Sequence, residues 1–136
     1  LEEAFIKHCD YSINKSRPYV IRNSVPLEEK LQSDQIFSGI TATAGGFYGP
    51  QGRVLRLPLQ DNKLNQKIES FSHKGLKVTN LEMETSVIYG LSKLLGHQAV
   101  SMNAIIANRA DLTFSKDPYA AVEKIIAYSL NKLSAS

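Results

Sequence analysis

Three short segments of this sequence group side chains able to hold a small molecule. Residues 45–53 read Gly-Gly-Phe-Tyr-Gly-Pro-Gln-Gly-Arg, with an aromatic ring at Phe47, an amide at Gln51 and a planar cation at Arg53. A ring stacks, an amide donates and accepts at once, and a guanidinium offers a rigid fork of donors, which together suit the edge of a flat heterocyclic base. The same residues also make a glycine-rich turn with an exposed arginine, because Gly and Pro are the ordinary material of turns; the sequence leaves both readings open. The second segment is Glu82-Met83-Glu84. One carboxylate there fits the acidic first turn of a helix. Two at a strand end repel unless each has a partner, and the vicinal hydroxyls of a sugar are such partners, with Met83 against the apolar face of the ring. The third is Asn108-Arg109-Ala110-Asp111, directly after an apolar run.

Other chemistries find less support. The glycines match neither G-x-G-x-x-G nor a P-loop, and no G-x-S-x-G elbow surrounds Ser38, Ser86 or Ser101. His8, His73, His97 and Cys9 lack the spacing of a metal site, so no metal is expected. Cys9 sits on a short apolar stripe with Phe5 and Ile6 and reads as a buried structural thiol.

The elements that would position these segments follow from periodicity. Residues 36–44, rich in Ile, Thr and Phe, read as a strand running into the 45–53 loop. Leu64, Ile68 and Phe71 mark a helix from an Asp61 N-cap to a stop at Gly75. Residues 77–81 read as a strand, Val87, Ile88, Leu91, Leu94 and Leu95 as a helix, residues 99–107 as a strand buried on both faces, and residues 117–133 as a final helix. Residues 10–34 read as irregular or broken helix. The order β-α-β-α-β-α predicts an α/β sheet, whose ligands sit beyond the carboxyl ends of the strands, and each of the three segments follows a predicted strand.

Composition agrees with one globular domain: 136 residues, 43% hydrophobic, 21% charged, net charge +3. The basic excess is spread over both halves, so neither a nucleic acid nor a membrane surface is an expected partner. The uncharged stretches 35–52 and 94–108 contain too much Gly, Pro, Thr, His and Asn to span a bilayer. The opening Leu-Glu-Glu shows no secretory signal and suggests a chain cut from something longer, and a single cysteine fits a reducing cytoplasm.

Gly39-Ile40-Thr41 leading into Gly46-Phe47-Tyr48-Gly49-Pro50-Gln51-Gly52-Arg53, then Asn80-Leu81-Glu82-Met83-Glu84, then Ile105-Ile106-Ala107-Asn108-Arg109, resemble in order and spacing the uridine phosphorylases of the hexameric nucleoside phosphorylase family. The resemblance runs from about residue 36 to the end and corresponds to the C-terminal half of a family member. It implies a three-layer phosphorylase/hydrolase-like α/β fold with a mixed central sheet, and a single domain whose N-terminal half, with its phosphate-holding segments, is absent here. It implies that Phe47 packs on the base, Gln51 and Arg53 bind the uracil edge, and Ile106 walls the base pocket. It implies that Glu84 holds the ribose hydroxyls, Met83 packs on the sugar, Glu82 supports the site, and Arg109 stands where purine-cleaving relatives carry an Asp. The expected reaction is phosphorolysis of uridine to uracil and ribose 1-phosphate by a cytoplasmic homo-oligomer. Phosphate is co-substrate, no cofactor is needed, and these residues alone are inactive. A purine phosphorylase or nucleosidase on the same fold, or a non-catalytic nucleoside-binding module, are the alternatives.

Overall fold

The computed structural model describes residues 1–11, 16–108 and 111–135. Along them run α1 (Glu2–Cys9), α2 (Val25–Leu31), β1 (Ile40–Thr43), a 3-10 turn (Gly49–Gln51), α3 (Leu64–Ser70), β2 (Ser72–His73), β3 (Leu76–Glu82), α4 (Thr85–Leu94), β4 (Ala107–Asn108), β5 (Thr113–Phe114) and α5 (Pro118–Ser134). The β-branched residues of β1 and β3 pair in parallel, Thr41 opposite Asn80 and Thr43 opposite Glu82, with an irregularity between Ile40 and Thr41. On its other side β3 pairs antiparallel with β2, so the three-stranded sheet is mixed, in the order β1-β3-β2. Parallel pairing puts the carboxyl ends of β1 and β3 at one edge, and the segments that follow both strands leave from there.

Three helices agree with the periodicity in position and differ at their ends. The helix over Leu64, Ile68 and Phe71 stops at Ser70 rather than Gly75. Gly75 instead forms, with Lys74, a two-residue turn between β2 and β3 at φ values of 82° and 50°. Both residues of such a hairpin turn lie in the left-handed region, which glycine enters without steric cost. Asp61 does not cap α3, whose N-cap is Lys63; its Oδ1 accepts from the Lys63 N–H at 2.9 Å in an Asx turn ahead of the helix. Asp117 does cap α5, accepting from the Ala120 N–H at 2.9 Å with Pro118 in the first turn.

The expected strand over residues 99–107 is a correction. Only Ala107–Asn108 pairs, and it pairs with Thr113–Phe114 in a separate hairpin. An apolar run becomes a strand only beside a free edge, and this one meets other partners: the Ala99 carbonyl accepts from the Ser24 N–H at 2.8 Å and the Ser101 N–H donates to the Tyr89 hydroxyl at 2.7 Å.

Burial is concentrated at one corner. Phe71 and Cys9 are fully enclosed where α1 meets α3, with the Phe5 ring edge-on to Phe71 at 5.2 Å and His8 at 5.4 Å. Burying a phenylalanine of this kind contributes about 1.5–3 kcal/mol. A second contact joins α2 to α5, where the Tyr128 hydroxyl donates to the Leu31 carbonyl at 2.7 Å. Elsewhere apolar side chains stand open: Leu91 of α4 is 54% exposed and Leu130 of α5 is 62% exposed. The chain exposes 10166 Å², against about 7,100 Å² expected of a complete monomer of 15.1 kDa. No helix among the described residues is long and apolar enough to cross a membrane.

Candidate nucleoside site

The end of β3 is held by one carboxylate. Glu82 Oε1 accepts from the Thr43 hydroxyl at 2.6 Å, across the β1–β3 pair. Its Oε2 accepts from the Glu84 N–H at 2.8 Å and the Thr85 N–H at 2.7 Å, the first amides of α4. Burial favours the neutral acid at Glu82, but these donors outweigh it and hold the pKa below the ordinary carboxylate value. The partners that the two neighbouring acids require are thus protein groups for Glu82. Glu84 is exposed and accepts from the nearby Met83 N–H at 3.2 Å. Its carboxylate stands beside the sheet edge in a position to take hydroxyl donors, with Met83 37% exposed next to it.

Around Glu82 the structure assembles hydroxyls that sequence reasoning did not single out. Thr43 Oγ1 also accepts from the Ser86 N–H at 3.1 Å, and Ser86 Oγ accepts from the Tyr19 hydroxyl at 3.0 Å. Thr85 Oγ1 donates to Ser101 Oγ at 3.2 Å. These bonds fasten β1, α4 and the 99–106 segment to the strand end. Thr43 was accessible to reasoning as the last residue of a strand that opens toward a ligand; Tyr19 and Ser101 carry no local signal.

The 45–53 segment brings its three expected residues together. Arg53 Nη1 donates to Gln51 Oε1 at 2.7 Å and to the Phe47 carbonyl, and the guanidinium carbon lies 3.8 Å from the centre of the Phe47 ring. Arg53 therefore covers one face of Phe47, a cation–π arrangement that fixes both. Gln51 is 4% exposed, while Phe47 is 50% exposed. Its neighbour Tyr48 packs edge-on against the Phe47 ring at 5.2 Å and 90°. The turn is closed by N–H groups of Gln51 and Arg53 donating to the Tyr48 carbonyl at 3.0 and 2.9 Å. At Gly52 φ is +75°, and a Cβ there would lie 2.3 Å from the Asn65 amide nitrogen.

The loop and the strand end share an edge: the Ala44 N–H donates to the Glu82 carbonyl at 2.8 Å, prolonging the ladder to the start of the loop. Thr43, Tyr48, Arg53, Met83, Ser86 and Ile105 line one open cleft of about 1740 Å³. That exceeds the roughly 300–1,000 Å³ of an ordinary ligand pocket. The described ends of the third segment adjoin the β4–β5 pair, where Asn108 Nδ2 donates to Asp111 Oδ2 at 2.8 Å. Ile106 is 45% exposed there with its carbonyl bound to the Ser115 N–H at 2.9 Å. Arg109 lies outside the described residues. Among the described residues no three His, Cys, Asp or Glu side chains are grouped closely enough to hold a metal ion.

No protein-family model matches the chain. It is similar to a uridine phosphorylase of Thermococcus kodakarensis, 34% identical over 84 residues, which cover 57% of this chain and 27% of that protein. Its backbone superposes on a Trypanosoma brucei nucleoside phosphorylase, whose crystal structure is described as showing uridine phosphorylase activity, with a TM-score of 0.63 and 28% identity. That superposition covers 98% of this chain and 41% of the trypanosomal one. The chain thus spans well under half the length of either protein. Similarities of sequence and of backbone course agree on one fold, that of a nucleoside phosphorylase, of which this chain matches a part.

Proposed function

We propose that this chain supplies the base and ribose contacts of a uridine phosphorylase, which converts uridine and phosphate to uracil and ribose 1-phosphate. The observation that carries the reading is the placement of a base-type loop, Phe47, Gln51 and Arg53, and a free-standing carboxylate, Glu84, beyond the ends of two adjacent parallel strands. Cleavage of a nucleoside builds positive charge in the ribose ring, as in glycoside cleavage, and negative charge on the departing base. Glu84 binds the ribose hydroxyls and favours the first charge. Arg53, steadied by Gln51, favours the second as an oxyanion hole would. Arg109 is assigned the same anion on its place in the sequence alone. Met83 packs on the sugar, and Ile105 bounds the cleft, with Ile106 assigned to the base pocket on its place in the sequence alone.

Phosphate binds to residues beyond this set, the reaction needs no metal or organic cofactor, and the enzyme is a cytoplasmic homo-oligomer of pyrimidine salvage. The uncovered faces of α4 and α5 and a surface larger than that of a complete monomer fit a chain that folds against more protein. The test is initial rates of the full-length protein containing this chain on uridine, inosine and adenosine, with and without phosphate. Phosphate-dependent uracil release that outpaces both purines is expected; equal or faster cleavage of inosine overturns the assignment.

A further inference from the structure

One carbonyl of the base loop is bonded outside its own turn. The N–H groups of Gln51, Gly52 and Arg53 are all bonded within the turn, to Tyr48 and Gly49 carbonyls at 2.9–3.0 Å. The Gln51 carbonyl points outward instead, and Asn65 Nδ2 on α3 donates to it at 3.1 Å. The orientation of that amide is dictated by its partner, since the opposite one would set Asn65 Oδ1 against the carbonyl oxygen. Gly52 closes the contact from the other side: its left-handed backbone and its missing Cβ leave room for Asn65 to approach. Asn65 itself is carried by a helix anchored through Phe71 in the fully buried corner.

We propose that Asn65 is a positioning residue for base recognition, holding the Gln51–Arg53 turn against α3 so that Gln51 and Arg53 meet the uracil edge in one geometry. The inference rests on the uridine-cleaving reading and extends it to a residue that touches no substrate. It makes α3 the reference frame of base selection, and Asn65 with Gly52 a matched pair.

The experiment uses the full-length protein with Asn65→Asp, which keeps the shape and replaces the donor by an acceptor, and Asn65→Leu. The KM for uridine at saturating phosphate rises about 5- to 30-fold, the usual cost of a buried carbonyl left without its donor, while the KM for phosphate stays within about twofold. Amide hydrogen exchange at residues 51–53 without substrate becomes faster, and exchange across α1 stays as in the parent. Parallel changes in both KM values, or an unchanged uridine KM with unchanged exchange at 51–53, overturn the proposal. Should the Asn65 variants fail to fold, Gly52→Ala pushes on the same contact from the loop side, and an unaltered uridine KM in that variant overturns it equally. A parent protein that does not cleave uridine defeats the uridine reading, and the exchange data still decide whether Asn65 holds the turn.

Discussion

The loop at residues 45–53 and the junction at residues 82–85 face the same cleft and are built from different distances along the chain. The loop is shaped by near neighbours: Arg53 reaches back to Phe47 and Gln51, Tyr48 closes the turn, and a longer contact comes from Asn65, 14 positions away. The junction depends on Thr43, 39 positions from Glu82, and on Ser101, 16 positions from Thr85. A locally closed loop can change its base preference without disturbing the sheet. One carboxylate, Glu82, laced across two strands would tie the proposed sugar side of the cleft to the integrity of the fold.

The largest expected effect removes what neither region supplies. On the proposed reading the 136 residues expressed alone would offer base and sugar contacts and no expected means of placing phosphate, and positioning of reactants contributes up to about 7–11 kcal/mol in favourable cases. No phosphate-dependent uracil release is expected from the purified chain, and measurable turnover by a preparation shown by mass to be free of longer species would break the division of labour.

In the full-length protein, Glu84→Gln removes a charged acceptor at constant shape. The loss is about 1.5–3 kcal/mol, or about 10- to 150-fold in kcat/KM for uridine; unchanged efficiency removes Glu84 from the site. Arg53→Lys leaves the charge but loses the fork and the stacking on Phe47. Together these are worth about 1–2 kcal/mol, seen as a higher KM for uridine with the thermal midpoint nearly unmoved, as a locally held loop demands. A large drop in midpoint would show that the loop is part of the fold's support after all.

The smallest effect is on acid stability. The Glu82 pKa is lowered in the folded chain, despite burial, by the Thr43 hydroxyl and the Glu84 and Thr85 amides. Its ionised form therefore stabilises the fold above the ordinary carboxylate pKa, and that contribution disappears as pH falls through the depressed folded value. Glu82→Gln should lower stability at pH 7 and flatten its dependence below about pH 4.5, measured by urea denaturation at several pH values. A parallel, equally steep acid limb in the variant would place the sensitivity elsewhere.

The placement of the 45–53 and 82–84 segments after β1 and β3 was legible in the sequence, because each follows a run whose composition is plainly that of a strand. The helices over Val87–Leu91 and Val122–Leu133 were legible from their period. The strand over residues 99–107 was misread, since an apolar run states a wish for burial and not which edge accepts it. Asp61 and Gly75 were misassigned because an Asx turn and a hairpin turn use the same residues as helix caps. Tyr19 and Asn65 stayed hidden for a different reason: their roles exist only through partners that folding brings near.

The sealed corner of α1 and α3 gives the molecule a built-in clock. Cys9 is the chain's single thiol and has 0% exposure beside Phe71. A thiol reagent can therefore reach it only when the corner opens, and under fast reclosing the observed labelling rate is the intrinsic rate multiplied by the open fraction. Since α3 carries Asn65, the labelling half-life reads, without substrate or label of any other kind, whether a change in the base loop stays in the loop or travels into the helix that supports it.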